Sequence, residues 1–209
     1  MASLCVMDCW GIDDEPVQKP MDVDLGVEDG EEVEWFLGQR IASDIPKPIM
    51  MKWGPVLNSE MDIRRTLGPR SEKGIRRQWA YPTAEPPLFH HDLVAALREC
   101  GVDNIDVYEA LVVDVESGVR CSDYLAINIV GLLRVADMQS SSAVVHSEKG
   151  VIDTDFDSLV LDVESIPEVK MFRLAESVNA TIVHWSVKKH LETRGGFELT
   201  FKKPEDWIG

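Results

Sequence analysis

Two adjacent histidines, His90 and His91, are the first residues whose type could do acid–base or metal chemistry. They open the predicted main helix, where neighbouring side chains point in different directions, so they are not expected to hold a metal together. A catalytic base needs a nucleophile or acid within reach, and no pattern supplies one for His90, His91 or His184. Asp153, Asp155, Asp157, Asp162 and Glu164 follow the ligand spacing of a calcium loop, with Val160 at its usual apolar position. Ser158 replaces the turn-forming glycine, however, and Lys149-Gly150 and Ser165-Ile166-Pro167 break both flanks. The run reads better as a strand with an exposed acidic edge, and a calcium-binding or other small-ligand-binding regulatory module is the alternative function. Arg64-Arg65 and Arg76-Arg77 lie near Trp53 and Trp79, a pairing found in nucleic-acid binders, but internal pairing with the preceding acids is the simpler account. Cys5 and Cys9 are spaced C-x3-C, which is neither a zinc nor a redox spacing. Glycine-rich phosphate loops, G-x-S-x-G and H-E-x-x-H are absent. A non-enzymatic chain with no catalytic, cofactor or metal residue is expected.

The elements that would position such residues are α+β, with mixed or antiparallel strands and a few short helices. Leu4 to Trp10 suits a first strand, Val23, Leu25 and Val27 alternate weakly, and the prolines between Ile41 and Leu57 favour extended chain. Pro82, Pro86 and Pro87 mark a boundary between a β-leaning lobe, 1–85, and an α+β lobe, 86–209, the two expected to form one compact unit. Asp92 to Cys100 is the best helix, capped by His91 or Asp92 and closed by Gly101. Ile105 to Val115 alternates as a strand; Tyr124 to Val130 is a buried strand or the start of a helix. Asp155 to Val163 alternates again, and Met171 to Leu174 and Thr181 to His184 are short strands. Ser186 is the expected N-cap of a helix over Val187 to Arg194, before a last strand at Phe197, Leu199 and Phe201.

Charge is the strongest compositional signal: 37 acids against 21 Lys and Arg, a net charge of −16. It is uneven, with the run from Asp13 to Glu34 strongly acidic and the stretch from Trp35 to Ala80 basic. Such a balance repels nucleic acid and attracts a basic partner over long range. No apolar run is long enough to span a membrane, and the first ten residues lack the features of a secretory signal. The expected location is the cytoplasm.

From Leu88 onward the motifs come in a characteristic order. Leu88-Phe89-His90-His91-Asp92-Leu93-Val94-Ala95-Ala96-Leu97 leads to Gly101-Val102-Asp103-Asn104, then to Asp123-Tyr124-Leu125-Ala126-Ile127-Asn128-Ile129-Val130-Gly131, Asp137 and Ser140. Asp155-Phe156-Asp157-Ser158-Leu159, Met171-Phe172-Arg173-Leu174-Ala175-Glu176 and Pro204-Glu205-Asp206-Trp207 complete the set. This half of the chain, Leu88 to Gly209, resembles a bacterial immunity-protein family, formerly a domain of unknown function, encoded beside polymorphic toxin genes and numerous in myxobacteria. The resemblance implies a non-catalytic protein that binds and neutralises a cognate toxin made from a nearby gene. Asp123, Tyr124, Asn128, Asp137, Ser140, Phe172 and Arg173 match family positions, and Tyr124, Asn128 and Phe172 are expected to define the fold. Partner contact is expected at Glu28, Asp29, Glu31, Glu32 and Trp35, where acids end in an aromatic, and the partner is expected to be basic.

Overall fold

A computed structural model describes residues 4–8, 20–23, 35–41, 45, 47–53, 79–81, 86–114, 118, 120–147, 153–197 and 199–209. The chain is α+β. In order, the strands are β1 (Leu4–Asp8), β2 (Pro20–Val23), β3 (Ile49–Trp53), β4 (Ala80–Tyr81) and β5 (Leu88–His90). Helix α1 (His91–Glu99) follows, then β6 (Ile105–Asp114), β7 (Arg120–Cys121), β8 (Tyr124–Ile129) and β9 (Leu132–Leu133). A hairpin of β10 (Ser142–Ser147) and β11 (Asp153–Ser158) precedes β12 (Met171–Leu174), β13 (Thr181–His184), helix α2 (Trp185–Arg194) and β14 (Thr200–Lys202). They form one sheet ordered β14-β1-β13-β12-β9, a second ordered β2-β3-β6-β8-β5-β4 with β7 beside β6, and the separate hairpin.

The two large sheets contain the same unit twice. In one, β5-α1-β6 straddles β8, with Leu88 and Tyr108 both facing Ala126. In the other, β13-α2-β14 straddles β1, with Ile182 and Lys202 both facing Val6. One constant sequence offset carries His90 to His184, Leu97 to Leu191 and Gly101 to Gly195 without a gap. The preceding strand matches too: His90 N–H donates to Trp79 O and His184 N–H to Lys170 O. The middle strand is what differs. β8 follows its unit in the chain, whereas β1 is the first described strand and lies between two of the last. Residues on either side of position 85 therefore share both sheets.

Pleating divides the apolar residues among three cores. Phe89, Ile127, Cys5 and Val183 face the helices, where Leu93, Val94, Ala96 and Leu97 of α1 and Val187 and Leu191 of α2 are buried. Leu88 and Ala126 face the other way, onto Trp35, Ile49 and Met51. Val6, Phe172 and Ile182 do the same in the first sheet, onto Phe156, Leu159 and Trp207. Burial on both faces makes 124–129 a strand rather than the start of a helix. Gly38, at φ 66°, lets residues 35–41 run against β9, since a Cβ there would sit 2.5 Å from Leu132 N. Asn128, fully buried, secures the same segment by donating to Gln39 O at 2.7 Å.

Three sequence expectations are corrected. The N-cap of α1 is His90, not His91 or Asp92, and that of α2 is His184, not Ser186, because each imidazole Nδ1 accepts the N–H two residues on (Asp92 and Ser186, both 3.2 Å). Alternation from Asp155 does not continue as one strand to Val163: β11 ends at Ser158, and Val163–Ser165 is a 3-10 turn.

Because β1 supplies the middle of a sheet, Met7, 2 % exposed, is a core residue despite its place in the chain. Met7→Ala should cost about 2–5 kcal/mol in urea unfolding, as a buried Met→Ala change does. A loss under about 0.5 kcal/mol, the size of a surface substitution, would show β1 is not held there.

Candidate functional site

The sequence reading placed His90 and His91 apart, but their rings lie 4.4 Å centre to centre. The physical reason is that His90 is not helical: its φ and ψ of −59° and 140° turn its ring back beside His91. His90, His91 and Asp92 bring one ligand atom each within 4.8 Å of one another. The cluster nevertheless sits where the N–H groups of α1 make its positive end, an unfavourable place for a cation, and His90 Nδ1 is committed to the cap. Trp79 and Tyr124 meet the His90 ring edge-on at 4.7 and 5.6 Å. Burial first, and then the neighbouring His91, lowers the His90 pKa below its ordinary 6.5. That agrees with the geometry, since protonating Nδ1 would abolish the cap. At the equivalent place His184 Nδ1 meets both Ser186 N–H and, at 2.8 Å, Ser186 Oγ. The two histidines cap different helices, and no contact joins them among the described residues.

The residues on which the resemblance rests are structural in their placement. Tyr124, Asn128 and Phe172 are buried. Arg173 is buried as well, its guanidinium donating to Val178 O and lying 4.5 Å over the Phe36 ring; burial pulls its pKa down to about 10. Asp137 accepts from Ser140 Oγ at 2.7 Å and from the N–H groups of Gln139 and Ser140, which close a turn and hold its carboxyl below the usual range. Of the expected partner contacts, Trp35 is 0 % exposed and packs edge-on to Tyr108 at 5.4 Å. Glu28, Asp29, Glu31 and Glu32 lie outside the described residues.

A chemically distinct surface lies on the β10–β11 hairpin. Strand geometry puts alternate residues on opposite faces, so Asp155 and Asp157 face solvent while Thr154 and Phe156 are buried. The inner face is anchored: Phe156 packs on Trp207, and Gly209 exchanges two backbone hydrogen bonds with Phe156. The outer face carries Val144, 57 % exposed and directly opposite Asp155. His146 Nε2 lies 2.7 Å from Asp155 Oδ2. Through Glu168, every Asp, Glu, Lys or Arg among the described residues from Ser142 is an acid. Met138, Val144, Val145 and Val163 are four of the large apolar side chains left exposed in the described chain. The extended course of β11 separates Asp153, Asp155 and Asp157 along a line rather than folding them round a calcium ion. Sequence reading found the acids but passed over β10. Its signal was a six-residue run, Ser142 to Ser147, without a charge in a highly charged chain.

Among the described residues no helix is long and apolar enough to cross a membrane. No known family model matches the chain, and comparison with curated proteins gives no match.

The lowered His90 pKa fixes a sign. Between that pKa and 6.5 the folded chain binds fewer protons than the unfolded one, so this stabilisation is complete above pH 6.5 and is lost as pH falls below it. His90→Asn keeps an acceptor for Asp92 N–H but does not titrate, so its urea midpoint should drop less than the wild type's between pH 7 and pH 5. Equal drops would show that His90 is not the group responsible.

Proposed function

We propose that this chain is an immunity protein of the polymorphic-toxin class, acting in the cytoplasm without catalysis by binding a cognate toxin domain made from a nearby gene. The observation that carries the reading is the outer face of the β10–β11 hairpin, where exposed Val144 stands among carboxylates on an anchored scaffold. A protein interface needs apolar area for affinity and charge for orientation and speed, and this face offers both. The acids favour a partner with Lys or Arg around its own apolar patch, and the net charge of −16 would draw such a partner in from a distance. The acidic run at Glu28, Asp29, Glu31 and Glu32 would add to that field. The motif order from Leu88 to Trp207 gives the partner its class. The polar clusters support the same reading: His90, His184 and Asp137 are each occupied in capping or turn formation.

The test is co-expression with the product of the neighbouring toxin gene, scored by cell survival and by co-purification. Survival with a stable complex is expected; survival without a complex would overturn binding as the mechanism. In the purified pair, Asp155→Asn with Asp157→Asn should lower the association rate about tenfold at low salt and much less at high salt, as lost steering does. An unchanged rate at both salt concentrations would remove the hairpin face from the interface.

A further inference from the structure

Strand β10 is an unusual edge. The edge strands of the two large sheets span two to four residues: β14 and β4 at one end each, β9 and β2 at the other. Short edges protect a sheet from pairing with other chains, as do charge and proline. β10 spans six residues, Ser142 to Ser147, and has neither Lys, Arg, Asp, Glu nor Pro. It pairs with β11 on one side, and among the described residues no strand pairs with the other.

The backbone geometry shows which groups are offered. Phe156 exchanges its N–H and C=O with Gly209, so neither can point at Ala143, which stands opposite it on β10. In an antiparallel ladder this makes Ala143–Phe156 a pair without mutual hydrogen bonds, and the same holds two residues on for Val145–Thr154. The N–H and C=O groups of Ala143 and Val145 therefore point out from the free edge. Val145 is 43 % exposed although Thr154 opposite it is buried, as expected where no described residue covers the strand.

We infer that β10 accepts a strand from a basic protein partner, adding it to the hairpin through the outward backbone groups of Ala143 and Val145. This rests on the binding reading above and specifies how the partner is held. Charge selects the occupant: a second copy would bring another hairpin bearing Asp155 and Asp157 alongside the first, whereas Lys or Arg on an incoming strand reaches across β10 to those carboxylates. The added strand carries basic residues on the face of Val144 and small or apolar ones on the face of Val145.

The test compares Val145→Pro with Val145→Thr, using the complex with the neighbouring gene's product. Proline removes an N–H that the hairpin does not use, so thermal melting should stay near wild type, while affinity should fall at least about tenfold. Threonine keeps the N–H and should bind within about threefold of wild type. Amide hydrogen exchange gives a second readout that does not depend on the variants. Ala143 and Val145 should exchange freely in the isolated chain and become protected in the complex. Wild-type affinity for Val145→Pro, or protection already present in a monomeric free chain, would overturn strand addition. If Asp155→Asn with Asp157→Asn weakens binding while Val145→Pro does not, the face is used and the edge is not; no complex at all sinks the binding reading itself. A free chain that is dimeric, and becomes monomeric on Val145→Pro, would replace the basic partner with a second copy.

Discussion

An extended chain carries two rows of backbone donors and acceptors, and in the interior each row needs a partner. That demand organises this molecule. β5 and β6 leave a gap that β8 fills, antiparallel to both; β13 and β14 leave the same gap, and β1 fills it in the same sense. Both middle strands present apolar side chains to both faces, so filling the gap also joins the core around the two helices to the outer cores. The crossed origin of β1 then ties the beginning of the described chain to its end. Along the outer edge of β10, six residues long, the row meets no strand among the described residues.

The helices are secured by the same accounting. Each begins with an imidazole accepting an otherwise orphaned N–H, and α1 ends with Lys170 Nζ donating to Cys100 O at 2.6 Å. Across their interface Glu99 of α1 meets Arg194 of α2. Histidine is outside the usual N-cap set of Ser, Thr, Asp and Asn; reading caps from sequence offers His91 or Asp92 for α1 and Ser186 for α2, and begins each helix slightly late. The error is local, but it concealed the most telling repeat in the chain. Once His90 and His184 are recognised as the same position, Leu97 with Leu191 and Gly101 with Gly195 fall into register.

Legibility followed how local each signal was. The α+β class, the apolar stripe of α1, the glycine stop at Gly101 and strands β1, β12 and β13 rest on short-range periodicity and could be read from residue order. Which strand fills which gap depends on contacts such as Cys5 with Val183, far apart in the chain, and no local pattern encodes them. The candidate surface divides in the same way. Its acids were visible as a charge run at Asp153, Asp155 and Asp157, though first compared with a calcium loop. Exposure of Val144 and Val145 was not visible, because a β-branched pair in a six-residue strand reads equally well as core. Trp35 shows the converse: an aromatic after an acidic run suggested contact with a partner, and it fills the space above Ile49 and Met51 instead.

The anchored, acidic and partly apolar hairpin face is the basis for proposing a binding role for this chain. Carboxylate footprinting tests it most directly: solvent-accessible Asp and Glu side chains are coupled to an amine with carbodiimide, in the free chain and in its complex with the neighbouring gene's product, and mass spectrometry locates the label. The account predicts that Asp155 and Asp157 lose reactivity in the complex, while Asp103 and Glu109, exposed elsewhere on the chain, keep theirs. Unchanged labelling of Asp155 and Asp157, with protection at other carboxylates, would contradict it and move the binding surface away from the hairpin.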